Sequence, residues 1–313
     1  MDNKNLAAID LGTNSCRLLI TDNKGKVLYR ESNSIKLGEG MMKNLEFTDE
    51  AINRGLQCLN KYAQTMQKYD VRAYRAIATA SCRMAENGPQ FVKMAKELSG
   101  INIEIISAQE EAMLNVCGAA LNAQKNAKSL LVFDLGGGST EITLATNEAK
   151  PKLLYTTSIP WGARNASEYF DLCEYNELKA LMLQKEVEKY TRDFLINSEF
   201  LQYLPHCCCL ATSSTSLRLM NMIKNTPVYN REFADGLSAP IEKYDEQIEK
   251  IFHSTLLEMS RNPHIGKNRA PIIVAAGIIF QTIYKVLQIK ELISSLKSAQ
   301  EAIINDLILR GEF

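Results

Sequence analysis

Residues 6–20 of the chain read LAAIDLGTNSCRLLI, and residues 130–144 read LLVFDLGGGSTEITL. Each copy has an apolar stretch, Asp-Leu-Gly, a turn of small polar residues and a second apolar stretch. The two aspartates, Asp10 and Asp134, lie 124 positions apart. Self-similarity at that separation means that one supersecondary unit is built twice. Strand, turn, strand is a β-hairpin. A chain of 313 residues is also long for a single core, and two domains of roughly 150 residues are expected.

Around the hairpins the chain alternates. Helical spacing covers 50–68, a strand 72–79, a helix 88–98, a strand 101–106 and a helix from 108 to about 121. The polar stretch 122–128 reads as the link between lobes. A strand is then expected at 152–158, helices across 174–196, a strand at 207–211, and long helices at 243–260 and 272–287. Alternating elements around a repeated hairpin give an α/β chain of two similar lobes, 1–122 and 123–313.

Lys plus Arg and Asp plus Glu both total 36, so no bulk charge draws the chain to nucleic acid or an anionic membrane. A polyanion would need a local basic cleft. The longest apolar run, 272–280, is too short for a bilayer. The polar start Met1-Asp2-Asn3-Lys4-Asn5 leads us to expect no secretory signal. Eight scattered cysteines, three of them consecutive and none in a CxxC pair, fit reduced, mostly buried thiols of a cytoplasmic chain. Three histidines without ligand spacing argue against structural zinc.

The turns carry the chemistry. Gly12-Thr13-Asn14-Ser15 and Gly136-Gly137-Gly138-Ser139-Thr140 let the backbone approach a phosphate, and successive N–H groups there form an anion nest. Ser15, Ser139 and Thr140 add hydroxyl donors. Asp10 and Asp134 would repel phosphate but suit Mg²⁺ or its water shell. Two such hairpins facing each other could hold one phosphate chain from both sides; the alternative is two tight turns without a ligand. Ser107-Ala108-Gln109-Glu110 matches a capping box, with Glu110 folding back on the Ser107 backbone. Glu111, turned about 100° from it, is left to polarise a water for attack on phosphorus, or else to complement the helix dipole on the surface. Arg17, Lys36 and Arg83 are suited to phosphate oxygens, although each alone also reads as solvated surface.

These stretches resemble the exopolyphosphatase/guanosine pentaphosphate phosphohydrolase family of the actin, sugar-kinase and heat-shock-protein superfamily. The matching motifs are AAIDLGTNSCRLLI, KLGEG, ATASCRMAENG, IEIISAQEEA, LVFDLGGGSTEI and SIPWGAR, in family order from residue 7 to residue 164. The resemblance implies two actin-like (ribonuclease H-like) lobes with an interlobe cleft, the terminal helix a candidate to pack back on the first lobe. It implies an acid-anhydride hydrolase that removes the terminal phosphoryl group of inorganic polyphosphate or guanosine pentaphosphate, with Mg²⁺ as cofactor. The second Glu of E-E-A, regarded as the catalytic base, falls on Glu111. Phosphate binding falls on Gly12, Thr13, Asn14, Ser15, Arg17, Arg83, Gly136, Gly137, Gly138, Ser139 and Thr140. The metal falls to Asp10, Asp134 and Glu141. A homodimer through the second lobe is the usual arrangement that the resemblance implies.

Departures from the family pattern cluster in the second half. Ser213 and Ser214, in Ala211-Thr212-Ser213-Ser214-Thr215, replace a Gly-Gly pair; non-glycine residues there are expected to restrict the backbone and crowd a ligand. Gln300 stands where the family has arginine, and Pro271 where it has aspartate. They motivate a second reading, a polyphosphate or nucleotide sensor with weak or no turnover. A kinase of the same superfamily is a third.

Overall fold

The computed structural model describes residues 4–41 and 44–311, so Met1–Asn3 of the polar start lie outside the described residues. The chain divides into two compact units: residues up to Leu114 together with those from Ala299 onward, and Asn115–Ser298.

In the first unit, β1 (Asn5–Leu11), β2 (Ser15–Thr21) and β3 (Val27–Ser34) form an antiparallel meander. After α1 (Asp49–Lys68), β4 (Val71–Ala78) joins β1 in parallel. The short α2 (Ala80–Met84), α3 (Gly88–Ser99) and β5 (Ile103–Ile105) follow, and the sheet order is β3-β2-β1-β4-β5. Leu6, Ala7, Ala8, Ile9 and Leu11 of β1 are apolar and buried because both faces of the strand are covered. Ala7, Ile9 and Leu11 join the core under α1 and α3, with Leu59, Tyr62 and Phe91. Leu6 and Ala8 point the other way. Thr48 caps α1 by accepting from the Ala51 N–H. Helix α4 (Ala108–Ala119) carries the chain from this unit into the next.

The second unit repeats the plan. The strands β6 (Ser129–Leu135), β7 (Thr140–Thr146) and β8 (Leu153–Ile159) form the meander. Helices α5 (Ala163–Tyr169) and α6 (Glu177–Asn197) precede β9 (Cys207–Ala211), which pairs with β6 in parallel. The remaining elements are α7 (Ser214–Ile223), α8 (Arg231–Ala234), β10 (Ser238–Pro240), α9 (Ile241–Phe252), α10 (Leu256–Arg261), α11 (Ala270–Val286) and β11 (Glu291–Ser294). The sheet order β10-β11-β9-β6-β7-β8 is the first unit's order with β10 added at one edge. The apolar run 272–280 lies in α11, a buried core helix whose Phe280 packs on Phe133 and Tyr244. Among the described residues no helix is long and apolar enough to cross a membrane. The polar stretch 122–128 joins α4 to β6 within the second unit.

The last helix, α12 (Ala299–Arg310), belongs to the first unit. Its Ala299, Ile303, Ile304 and Leu307 cover Leu6, Ala8, Leu19 and Ile77. One expectation fails: 243–260 is two helices, because Thr255 starts a new one. Its hydroxyl accepts from the Glu258 N–H, and the Glu258 carboxylate accepts from the Thr255 N–H at 2.8 Å. The cysteines are free thiols, five of them buried.

Candidate active site

The two hairpins close alike. Gly12 N–H donates to the Ser15 carbonyl at 3.0 Å, and Gly136 N–H donates to the Ser139 carbonyl at 3.0 Å. Asp10 faces Arg17 across the first pair of strands, and Asp134 faces Glu141 across the second.

Each loop is held from behind by the segment that follows the third strand of its unit. In the first, Gly38 N–H donates to the Thr13 carbonyl (2.9 Å) and Lys36 N–H to the Asn14 carbonyl (3.0 Å). A peptide is planar and trans, so each carbonyl turned backwards sends the next N–H forwards. The Asn14 and Ser15 N–H groups therefore share the opposite side. Arg54 anchors the backing segment through the carbonyls of Ile35 and Lys36 and the carboxylate of Glu39. Lys36 itself adopts a left-handed backbone, φ 50°, and lies beside Glu39 at 3.8 Å.

In the second loop the support is denser. Gly136 and Gly137 carbonyls accept from the N–H groups of Ala163 and Arg164, both at 2.9 Å, and the Gly138 carbonyl accepts from the Asn165 amide at 2.8 Å. Asn165 is fixed in turn by the Gly162 N–H and the Pro160 carbonyl. Three carbonyls face backwards, so the N–H groups of Gly137, Gly138 and Ser139 face forwards in succession, the geometry of an anion nest. Gly162 is required for this approach: a Cβ there would lie 2.5 to 2.7 Å from backbone atoms of Gly137, Gly138 and Ser139.

The side chains divide by partner. Thr13 is buried, with its methyl against Gly38, and Asn14 Nδ2 lies 3.4 Å from the Ser15 hydroxyl. The Ser139 hydroxyl donates to Glu141 at 2.6 Å, as does Ser158 at 3.1 Å. Thr140 commits its hydroxyl to the Trp161 carbonyl (2.8 Å) inside the unit. Arg17 pairs with Asp10 at 3.2 Å. Burial raises the Asp10 pKa above its ordinary value; Arg17 opposes that shift and Glu301 adds to it.

Glu111 and Arg83 are brought together within the first unit. Arg83 Nη1 donates to Glu111 Oε2 at 2.7 Å and to the Ile106 carbonyl at 3.0 Å. Glu111 is buried and is no surface charge. The capping box forms by half: the Ser107 hydroxyl accepts from the Glu110 N–H, but the Glu110 carboxylate pairs with Arg75 instead of folding back.

Among the described residues no three His, Cys, Asp or Glu side chains gather round one point. Asp134 and Glu141 are register neighbours, and Asp134 accepts from the buried Asn115 at 2.9 Å. This donor set is no protein-only cage. It fits an octahedral Mg²⁺ that takes one or two carboxylates and fills its remaining positions with water and substrate phosphate.

The departures have ordinary structural explanations. Ser213, with φ −90° and ψ 156°, lies in extended backbone and caps α7 by accepting from the Ser216 N–H at 3.2 Å. Ser214 begins that helix. Neither position needs glycine's backbone, so the expected restriction does not arise. Gln300 is buried and donates to the Ala8 carbonyl of β1 at 2.9 Å. Pro271 falls in the first turn of α11, where its missing N–H has no helical partner to lose. Asn115 and Asn165 escaped the sequence reading. Asn115 stands four residues after Glu111 on α4, a spacing that gives one helix face.

The family model of the Ppx/GppA phosphatase family matches residues 19–311. A bifunctional 3-dehydroquinate synthase/phosphatase of Fusobacterium nucleatum is 37% identical over 206 residues, which are 60% of this chain and 31% of that one. The chain thus spans about a third of that relative's length. Among solved structures, an exopolyphosphatase-like protein superimposes with a TM-score of 0.88 at 21% identity, covering 99% of both chains. An exopolyphosphatase from Cytophaga hutchinsonii gives 0.87 at 20%, covering 98% of both. The Aquifex aeolicus member of the Ppx/GppA family gives 0.79 at 22%, covering 99% of both. At these identities the structures establish the fold, an actin-like α/β architecture.

Proposed function

This chain belongs to the Ppx/GppA phosphatase family, and on that premise we propose that it hydrolyses the terminal phosphoanhydride of inorganic polyphosphate, with guanosine pentaphosphate as the alternative substrate. The observation that carries the reading is the second loop, where three carbonyls are tied back and three successive N–H groups are presented on one side. A fixed row of donors suits the oxygens of a phosphate chain and no particular base or sugar. The printed names of two structural relatives, an exopolyphosphatase and an exopolyphosphatase-like protein, favour the inorganic chain.

In this reading Glu111 accepts a proton from the attacking water as its oxygen bonds to the terminal phosphorus. The bridging P–O bond breaks, and the shortened chain leaves with the bridging oxygen. Arg83 holds the Glu111 carboxylate in place through the 2.7 Å hydrogen bond from its Nη1. Backbone N–H groups of the loops take the charge on the non-bridging oxygens, so positioning and fixed dipoles supply most of the acceleration. When bound with the substrate, Mg²⁺ would be held by Asp134 and would neutralise phosphate charge. Ser213 in extended backbone removes the backbone restriction that was one motive for a sensor without turnover; Gln300 was the other.

The test is phosphate release from long-chain polyphosphate and from guanosine pentaphosphate, with Mg²⁺, by wild type and Glu111→Gln. Release by wild type and its loss in the variant supports the hydrolase and ranks the substrates. Binding without release by wild type would make the chain a sensor.

A further inference from the structure

The chain carries no net charge, yet lysines gather at one end of the second unit's sheet. The stretch 122–128 holds Lys125 and Lys128, and the turn between β7 and β8 holds Lys150 and Lys152. All four are exposed, and the two segments carry one acid, Glu148, against them. Among the described residues none of the four lysines is in an ion pair. We infer that they anchor a remote stretch of inorganic polyphosphate, the substrate proposed above, on which this inference rests.

Hydrogen bonds bring the two segments together. Asn147 N–H donates to the Lys128 carbonyl at 3.1 Å, and the Asn147 amide donates to the carbonyls of Gln124 (3.1 Å) and Ala127 (2.9 Å). One residue earlier, Thr146 N–H donates to the Lys152 carbonyl and Lys152 N–H to the Thr146 hydroxyl, both at 3.0 Å. Adjacent strands lie about 4.8 Å apart, so the backbones of Lys128 and Lys152, on either side of β7, are roughly 10 Å from each other. That is close to one Debye length at physiological salt, and the fields of the ammonium groups add. Pro151 fixes its own φ and holds Lys150 extended. The rim is therefore ordered before a ligand arrives, and its backbone loses little entropy on binding.

The kind of anion follows from the side chains on the rim. Residues 122–128 and 147–152 contain no Phe, Tyr, Trp or Arg, so these segments offer no ring to stack on a base and no guanidinium fork to read its edge. Ammonium groups on flexible stems suit a chain whose every unit is a charge. The rim and the glycine loop sit at opposite ends of β6, which starts at Ser129 beside Lys128 and ends at Leu135 beside Gly136. The seven residues of that strand extend roughly 20 Å. Tripolyphosphate at the loop cannot reach the lysines, and a long chain can. Holding one stretch of the chain keeps its terminus near the loop, which raises the effective concentration there without a new contact at the loop itself.

The test compares wild type with the combined variant Lys125→Gln, Lys128→Gln, Lys150→Gln, Lys152→Gln on tripolyphosphate and on long-chain polyphosphate, with Mg²⁺. The variant is expected to raise KM for the long chain about tenfold and to flatten its salt dependence, with tripolyphosphate within about twofold of wild type. A second combined variant, Lys93→Gln, Lys96→Gln, Lys185→Gln, Lys189→Gln, removes the same charge from exposed positions on α3 and α6. The same rise in KM from this second variant, or an unchanged KM in the first, overturns the anchor. Calorimetry with long-chain polyphosphate reads binding apart from turnover, so a wild type that binds without releasing phosphate sinks the hydrolase alone. Affinity lost with the rim lysines supports the anchor in either case; affinity retained without them, or no binding by wild type, overturns it. Displacement of the chain by poly-uridylate at equal phosphate concentration would make the rim a general polyanion surface and overturn the assignment to polyphosphate.

Discussion

Arg83 Nη1 lies 2.7 Å from Oε2 of Glu111, and the same nitrogen holds the Ile106 carbonyl at 3.0 Å. One guanidinium thereby joins α2 to the turn that precedes α4 and fixes the candidate base at the head of its helix. Charged hydrogen bonds of this kind orient as well as stabilise.

Glu111→Gln preserves the shape of the side chain and removes its basicity. It is expected to fold normally and lose about 10²- to 10⁴-fold in kcat. Arg83→Met removes the guanidinium from a buried carboxylate, at a cost of about 1–3 kcal/mol in urea unfolding, and lowers kcat. A rise in KM with kcat unchanged would instead make Arg83 a phosphate contact with no role in holding Glu111.

The glycines behind the two loops should respond differently. A Cβ on Gly162 meets backbone atoms of Gly137, Gly138 and Ser139 at 2.5 to 2.7 Å, so the second loop has to move. A Cβ on Gly38 meets the Thr13 side-chain methyl at 2.4 Å, and a side chain can turn to another rotamer. Gly162→Ala is therefore expected to raise KM for polyphosphate at least about tenfold, a loss of one or two N–H contacts. Gly38→Ala should change it less. Equal effects from the two substitutions would show that the tied-back carbonyls do not organise the second loop.

Much of the fold was legible because the repeated motif is also a repeated topology: both sheets run third, second, first and fourth strand, followed by a later strand parallel to the fourth, β5 in one and β11 in the other. β9 was readable to the residue, since Cys207–Ala211 is a short apolar run ended by hydroxyl residues. The break at 253–255 was missed, although Thr255-x-x-Glu258 is a capping box in the sequence, because the apolar spacing continues across it. Within the site, the small turn residues announced the loops. What supports them did not show: the Asn165 amide and the Gly162 approach depend on a segment more than twenty positions away. The pairing of Arg83 with Glu111 is likewise long-range, and no local pattern encodes it. Glu110 illustrates the limit, since a distant arginine, Arg75, took the carboxylate that the local motif reserves for its own helix.

The same capping box gives a pH prediction. Glu258 is held below its ordinary pKa of 4.5, first by the hydrogen bond from the Thr255 N–H and then by that from the Thr255 hydroxyl. A carboxyl whose folded pKa is lowered adds stability above its unfolded pKa and loses it as pH falls through the folded value. Wild type should therefore melt above Glu258→Gln at pH 7, and the gap should narrow as pH falls below 4.5 through the lowered folded pKa. A gap that stays constant through the acid range below pH 4.5 would mean that the substitution acts through packing.

Gln300 tests how the last helix is tied to the first unit. Its amide donates to the Ala8 carbonyl at 2.9 Å from a buried position, while Ile303, Ile304 and Leu307 of the same helix cover Leu6, Leu19 and Ile77. Gln300→Leu keeps an apolar body of similar volume and deletes the donor. It is expected to lower stability by about 1 kcal/mol, the net worth of one hydrogen bond, with kcat within twofold of wild type. Gln300→Arg brings in the residue that the family carries, but a guanidinium in this place must be buried beside β1, and arginine is expensive to desolvate. It should destabilise more than Gln300→Leu. The reverse order would mean that a charge is tolerated there, and that Gln300 is a replacement of the family arginine with no structural role of its own.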